Sequence, residues 1–311
     1  PIIVKYKFFS EPMYLLNFLF YYIIILPISY LPYHVLYFIS DALYIILYKI
    51  FGYRKKVVKK NIDNSFPKMS EAERNAIVEK FYRHLCDLIV ESLKTFTISK
   101  ENVDIRMKVG DVKDVHEAFK KNKSVILAGG HLNNWELFAV AIDDSIPHQT
   151  VAIYSPLKNK FFDDKMRATR GKYGLEMVST KKIIAHMAEV KDKLTATIFG
   201  VDQSPSNPYK SIWLNFLNQD TSVFYGAEKM AKLYNYPVFY GRINKIKRGY
   251  YSFDLIEICS DPQSTEHGYI TETITRRLEN DIIANPEYWL WSHKRWKRQK
   301  PADYKFNLNE S

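Results

Sequence analysis

The 311-residue chain reads as an α/β protein: a mixed, largely parallel sheet flanked by helices, preceded by a hydrophobic helical segment. Three observations carry that reading. Apolar runs at 125–128, 150–154 and 195–201 end at turn residues and are separated by helix-like stretches, the alternation that builds parallel sheets. Residues 69–93 carry Ile77, Phe81, Leu85, Leu88 and Ile89 at helical spacing. Between Pro12 and Ser40 there is no Asp, Glu, Lys or Arg, a run long enough to cross a hydrocarbon core of about 30 Å.

Taken in order, that first run is interrupted by Pro27 and Pro32. It fits a single spanning helix over about residues 13–28, or a hairpin or interfacial pair on one leaflet; a buried helix pair is the remaining alternative. No small-residue cleavage site follows, which argues against a signal peptide. Lys5 and Lys7 precede the run, and Lys49, Arg54, Lys55, Lys56, Lys59 and Lys60 follow it. The heavier basic flank puts the bulk of the protein in the cytoplasm. Residues 1–50 are therefore read as a membrane anchor or interfacial helices, and 51–311 as the domain that carries the chemistry.

Ser70 and Glu73 have capping-box spacing and predict where the long helix starts. Next comes SVILAGGHLNNWELFAV, a buried strand, two glycines and a helix start near Asn133, with His131 at the turn. Glu136 falls in the first helical turn, where a carboxylate is favoured. His131 and Glu136 are five residues apart and can meet only if His131 lies outside the helix, which Gly129 and Gly130 allow. Such a pair would be a general base with its tautomer fixed. The plain alternative is a loop histidine beside a capping glutamate.

Downstream, Asp163, Arg167 and Arg170 fall on one face of a helix and by themselves read as a solvated salt-bridge ladder. The third strand ends at Asp202. Crevices in open parallel sheets lie beyond the carboxyl ends of strands, so His131 and Asp202 can converge. Ser222 reads as the cap of a helix through Leu233, 237–243 and 250–258 as a hairpin, and 270–283 as a helix. The chain closes with NPEYWLWSHKRWKRQKP, in which Trp289, Trp291 and Trp296 interleave with basic residues. That pattern suits stacking on single-stranded nucleic acid or a membrane interface.

Composition bounds the partners. Aromatic residues make up 15% of the chain, 23 of them Tyr, and the formal charge is +11, a balance that fits an anionic partner such as nucleic acid, acidic lipid or acidic protein. Cys86 and Cys259 have no metal-ligand spacing and imply neither zinc nor a disulfide framework. Internal repeats, a Walker loop, a dinucleotide fingerprint and HExxH are all missing from the sequence.

GGHLNNWE fits the H-x4-D/E signature of glycerolipid-type acyltransferases and resembles the version in the lipid A biosynthesis lauroyl/myristoyl acyltransferases. The likeness extends to GYRKKVVKKN, FYRHL, GVDQ and PEYWLWSHKRWK, and so covers nearly the whole chain. It implies a glycerolipid-acyltransferase-like fold at the cytoplasmic face of a bacterial inner membrane. The implied reaction transfers an acyl chain from an acyl carrier protein to a hydroxyl of a lipid A precursor, with no cofactor or metal and no nucleic acid. His131 would be the base and Glu136 would hold its imidazole. The family's Y-x-P-x-x-N, with an Arg eleven residues on, maps onto Tyr154, Pro156, Asn159 and Arg170. The resemblance thus implies that Arg170, with Arg167 beside it, holds a phosphate or the developing oxyanion, and that Asp202 orients Arg170 or the acceptor. Ser155 stands where the family usually has Arg, so one phosphate contact has no counterpart there. The sequence separates neither acyl carrier protein from coenzyme A as donor nor lipid A from another hydroxyl acceptor.

Overall fold

The computed structural model describes residues 11–305. Helix α1 (Glu11–Leu19), a π-wound stretch (Phe20–Ile25) and α2 (Leu26–Tyr30) run on as one apolar rod. Pro27 sits in the first turn of α2, where a missing N–H does little harm, and the rod continues. Pro32 breaks it, forcing Leu31 to an extended ψ of 146°. Helix α3 (Tyr33–Tyr44) then runs on through Ile45–Ile50. Met13–Tyr30 and Tyr33–Ile50 are each long and apolar enough to cross a membrane. Ile23, Phe38 and Ile50 are exposed on this pair.

The pair is fastened to the body by polar contacts. Tyr37 Oη donates to Glu91 (2.9 Å) and Ser40 Oγ to Asp87 (2.7 Å). Both acceptors lie on α5 (Glu71–Thr95), which follows α4 (Lys55–Ser65). The capping box at Ser70 and Glu73 forms as its spacing requires, with both reciprocal hydrogen bonds. Helix α6 (Lys100–Arg106) leads into the sheet.

In chain order the sheet region runs β1 (Met107–Val109), α7 (Lys113–Lys120), β2 (Val125–Gly129), α8 (Trp135–Ala141), β3 (Gln149–Tyr154), α9 (Lys160–Arg170), β4 (Glu176–Ser179), α10 (Ile183–Glu189) and β5 (Thr195–Gly200). A small hairpin of β6 (Ile212–Phe216) and β7 (Gln219–Val223) follows, then α11 (Gly226–Tyr234), β8 (Val238–Lys247), β9 (Tyr250–Cys259) and α12 (Tyr269–Ala284). Seven strands pair in the order β1-β9-β8-β2-β5-β3-β4. Every neighbouring pair is parallel except β8 and β9, the hairpin expected from the sequence, whose turn uses Gly249 at φ 75°. Alternate residues face opposite cores: Ile126 and Ala128 pack toward α5, α11 and α12, while Val125 and Leu127 pack toward α7 and α8. Strand β2, the central one of the seven, therefore carries its C-terminal turn into the middle of the sheet.

One expected element moves. Ser222 does not cap a helix; it lies in β7 opposite Trp213, and α11 begins only at Gly226. A two-residue turn at Leu217 and Asn218, both at positive φ, folds β7 back onto β6 and holds Ser222 in the ladder.

Candidate active site

His131 stands just beyond the C-terminal end of β2, and Asp202 just beyond the end of the adjacent β5. The parallel register, Gly129 opposite Gly200, brings them together. His131 Nδ1 lies 2.6 Å from Asp202 Oδ1, and the His131 backbone N–H donates to Oδ2 at 2.7 Å. Trp289 Nε1 donates to the same Oδ2 at 2.8 Å. A β-bridge between Leu132 and Trp289, with the Asn133 N–H donating to the Tyr288 carbonyl at 3.0 Å, ties the turn to the C-terminal segment.

The carboxylate that holds the imidazole is thus Asp202, and the expected pairing of His131 with Glu136 is corrected. Glu136 instead takes a two-point ion pair from Arg170, Nε to Oε2 at 2.8 Å and Nη2 to Oε1 at 2.6 Å, and accepts from Trp135 Nε1 at 3.1 Å. The reason is local. Helix α8 starts one residue later than expected, capped by Asn134, whose Oδ1 accepts from the Leu137 N–H. Glu136 becomes the second helical residue and faces α9, while Asn133 is held at φ 56° by its side-chain bond to the Ile243 carbonyl.

The two glycines serve a different purpose from the one expected. Neither has positive φ. A Cβ on Gly130 would lie 2.8 Å from Leu278 and 3.1 Å from Asp202 Oδ2, and one on Gly129 would lie 3.0 Å from the Gly241 carbonyl. They are required for close approach, so that Asp202 can reach under the turn.

Burial alone would lower the His131 pKa, but the Asp202 charge and hydrogen bond outweigh it, with help from Glu136, and the pKa is raised. Burial would raise the Asp202 pKa, yet His131, as charge and donor, holds it well below the usual carboxylate range. Both shifts describe one coupled pair that favours imidazolium beside carboxylate. On the other side of the ring, Gln203 Nε2 lies 3.4 Å from His131 Nε2, and the Trp135 indole stands edge-on at 5.1 Å.

His131 and Arg170 open onto a largely apolar cavity of about 160 Å³ over the ends of β2, β3, β5 and β8, lined among others by Phe138, Ala152, Met177 and Ile198. Arg170 lines it while spending Nε and Nη2 on Glu136; its Nη1 has no protein partner among the described residues. The remaining expected residues do not join this group. Arg167 is exposed and faces Asp164 at 3.9 Å, and Asn159 caps α9 through the Phe162 N–H. Asp163, expected on a ladder with both arginines, accepts from the Leu157 N–H at 2.7 Å. Asp202 is bonded to His131 and Trp289, while Arg170, which it was expected to orient, is held by Glu136.

Trp289 stood in the sequence only as one of the interleaved tryptophans and Gln203 only within GVDQ; neither pattern assigned them to the histidine or its carboxylate. Trp289 and Trp291 are buried, the latter donating to the Pro286 carbonyl at 2.5 Å, and Trp296 Nε1 is bonded to Thr221. Trp289 and Trp291 are therefore packed inside and present no exposed ring face for stacking; Trp289 supports Asp202, and Trp291 and Trp296 pack against Trp289. Acidic Asp202 beyond a strand end was the available clue, since a buried carboxylate needs donors and indole N–H is one. Among the described residues no cluster of three or more His, Cys, Asp or Glu could hold a metal.

The chain matches the family described as bacterial lipid A biosynthesis acyltransferase over residues 5–298. It is 21% identical over 269 residues to the lipid A biosynthesis palmitoleoyltransferase of Escherichia coli K12, covering 86% of each chain. The lipid A biosynthesis acyltransferase of Shigella flexneri matches to the same extent. The lipid A biosynthesis lauroyltransferase of E. coli K12 is 22% identical over 270 residues, 86% of this chain and 87% of that one.

Proposed function

Because this chain belongs to the bacterial lipid A biosynthesis acyltransferases, and is thus an acyltransferase, we propose that it carries a fatty acyl group from an acyl carrier protein thioester to a hydroxyl of a lipid A precursor. The observation that supports it most is His131, held in one tautomer by Asp202 at the mouth of an apolar cavity. With Nδ1–H committed to Asp202, Nε2 is the lone pair that takes the hydroxyl proton as the oxygen attacks the thioester carbonyl. Asp202 stabilises the imidazolium that forms. When the tetrahedral intermediate collapses, the C–S bond breaks and the imidazolium returns its proton to the leaving thiolate.

Arg170 is placed beside this centre by Glu136, and its Nη1 serves the developing oxyanion or a phosphate. Glu136 in this mechanism fixes Arg170 and does not touch the base. The cavity matches in size one that holds a single benzene, about 150 Å³, so it takes the carbons nearest the carbonyl and leaves the rest of the acyl chain outside. The exposed helix pair, followed by the basic stretch at 54–60, seats the body on the cytoplasmic face of the inner membrane, where it meets the lipid acceptor. A net charge of +11 steers the acidic carrier protein and the anionic acceptor to that face.

The test is purified protein incubated with acyl carrier protein thioester and lipid A precursor, read by mass spectrometry. One added acyl group, at a rate that falls as salt rises, supports the reading. Transfer from coenzyme A alone would overturn the donor, and transfer only to another hydroxyl lipid would overturn the acceptor.

A further inference from the structure

A buried cation close to the dyad plays no part in the mechanism above. Arg295 is 2% exposed, and its one side-chain hydrogen bond among the described residues runs from Nη2 to the Ser222 carbonyl at 2.7 Å. Its Nε and Nη1 are fully buried with no acceptor among the described residues, and the carboxylate that attracts it, Asp202, does so from beyond ion-pair distance. Leaving a guanidinium so poorly compensated is expensive. Charged groups in this state mark sites that complete themselves with a ligand.

The surroundings point the same way. The segment around Arg295 is rigid: Asn61 Nδ2 donates to the carbonyls of Trp291 (2.9 Å) and His293 (3.0 Å), and Arg54 donates to that of Ser292 (2.9 Å). Two residues before Arg295, His293 accepts from the Ser204 N–H of the loop after β5 at 3.3 Å, a long and therefore weak bond. Ser204 Oγ is buried and also without a partner. Gln203, the preceding residue, is the one that touches His131 Nε2. Burial pushes the His293 pKa down to about 4, so at neutral pH its ring accepts the Ser204 N–H and adds no charge. Exposed Lys294, Lys297 and Arg298 flank the segment and add to the positive potential at the surface.

We propose that Arg295 and Ser204 form a phosphate subsite beside the dyad, reached when the loop after β5 lifts, that anchors a phosphate group of one substrate while its reacting atom sits at His131. A guanidinium with two separate open donors and a hydroxyl suit a multi-oxygen anion better than a single-point acceptor. The acyl-transfer reading supplies two sources of that chemistry: a phosphate on the lipid acceptor, and the phosphodiester of the donor's pantetheine arm. The proposal rests on that reading for the source and not for the site.

The test uses the full-length protein with Arg295→Gln, Arg295→Lys and Ser204→Ala. Michaelis constants are measured for phosphorylated and phosphatase-treated acceptor, and for acyl thioesters of phosphopantetheine and of phosphate-free pantetheine. The expected result is a rise in KM of at least tenfold in Arg295→Gln for one phosphate-bearing substrate, absent for its phosphate-free counterpart, and smaller in Arg295→Lys. The substrate that shows it identifies the source. In parallel, inorganic phosphate raises the melting temperature of the wild-type protein and of Arg295→Lys but not of Arg295→Gln. Equal losses on phosphate-bearing and phosphate-free substrates, or no phosphate-dependent melting shift in the wild type, would overturn the subsite. If Arg295→Gln does not fold, Ser204→Ala carries the same test with an expected rise of two- to fivefold. If no acceptor is turned over at all, the acyl-transfer reading fails while the melting experiment still decides the site.

Discussion

Two ion pairs lie within a few residues of each other, and they behave oppositely. Arg170 and Glu136 bridge neighbouring helices α8 and α9 through two charge-assisted bonds, with side chains 25% and 10% exposed. His131 and Asp202 lie beyond the ends of neighbouring strands, and the Asp202 side chain is only 3% exposed. The first pair spends both carboxylate oxygens on one guanidinium and therefore positions. The second contains an imidazole whose pKa the neighbouring carboxylate raises and whose Nε2 is left for substrate, so it can exchange a proton. The partner each carboxylate holds, and not nearness in sequence, separates a scaffold carboxylate from a working one here.

The comparison breaks most decisively at the base. His131→Ala should lower turnover by about 10² to 10⁴-fold without unfolding the protein, measured by acyl transfer and by melting. Retained activity would remove the dyad from the mechanism. Asp202→Asn comes next, with a loss of about 10²-fold or more because the wrong tautomer is no longer excluded.

The pH profiles sharpen the distinction. The base must be neutral to act, and its pKa is raised, so wild-type activity should fall as pH drops through a value above the ordinary 6.5. Asp202→Asn removes the main charge that raises it, and the acid limb should move to lower pH. The same shifts have a stability consequence. The raised histidine contributes stability that is complete below about 6.5 and lost as pH rises through its folded pKa; the depressed aspartate contributes stability that is present above about 3.9 and lost as pH falls. The pair should therefore stabilise the fold most between those values, and the melting maximum in that window should flatten in Asp202→Asn. In Glu136→Gln, by contrast, the acid limb should move only slightly.

Smaller effects follow. Trp289→Phe removes one hydrogen bond to a buried carboxylate, worth about 1.5–3 kcal/mol, seen as a lower melting temperature together with reduced turnover. Glu136→Gln weakens a half-buried pair by about 1–3 kcal/mol and should reduce activity through misplacement of Arg170. Arg167→Ala should change stability by no more than about 0.5 kcal/mol and leave turnover near wild type, since the residue is exposed and 3.9 Å from its nearest carboxylate. A large loss there would restore Arg167 to the site.

Much of the architecture was readable in advance because it is written in local periods. Strands β2, β3 and β5, the capping box at Ser70 and helix α12 all fell within a residue or so of their expected limits, and the β8–β9 hairpin formed as expected with β8 running four residues further, to Lys247. The short elements β1 and β4 were missed, because three or four residues carry too little pattern to stand out. Placing Ser222 at a helix start failed for a related reason: Leu217 and Asn218 form a tight turn without glycine. The terminal tryptophans misled because interleaving with basic residues is a surface pattern, and only packing reveals that Trp289 and Trp291 turn inward while Lys294 and Lys297 turn out.

The sequence by itself determined the elements, the position of the histidine at the end of a buried strand and the kinship of the whole chain, since each of these is a matter of residue type at short range. Which carboxylate meets the imidazole was decided only by tertiary structure. Strands β2 and β5, about seventy residues apart, had to pair in one register, two glycines had to let Asp202 approach, and a tryptophan near the C-terminus had to arrive as its donor. A five-residue spacing cannot report a contact that strand pairing across the chain creates.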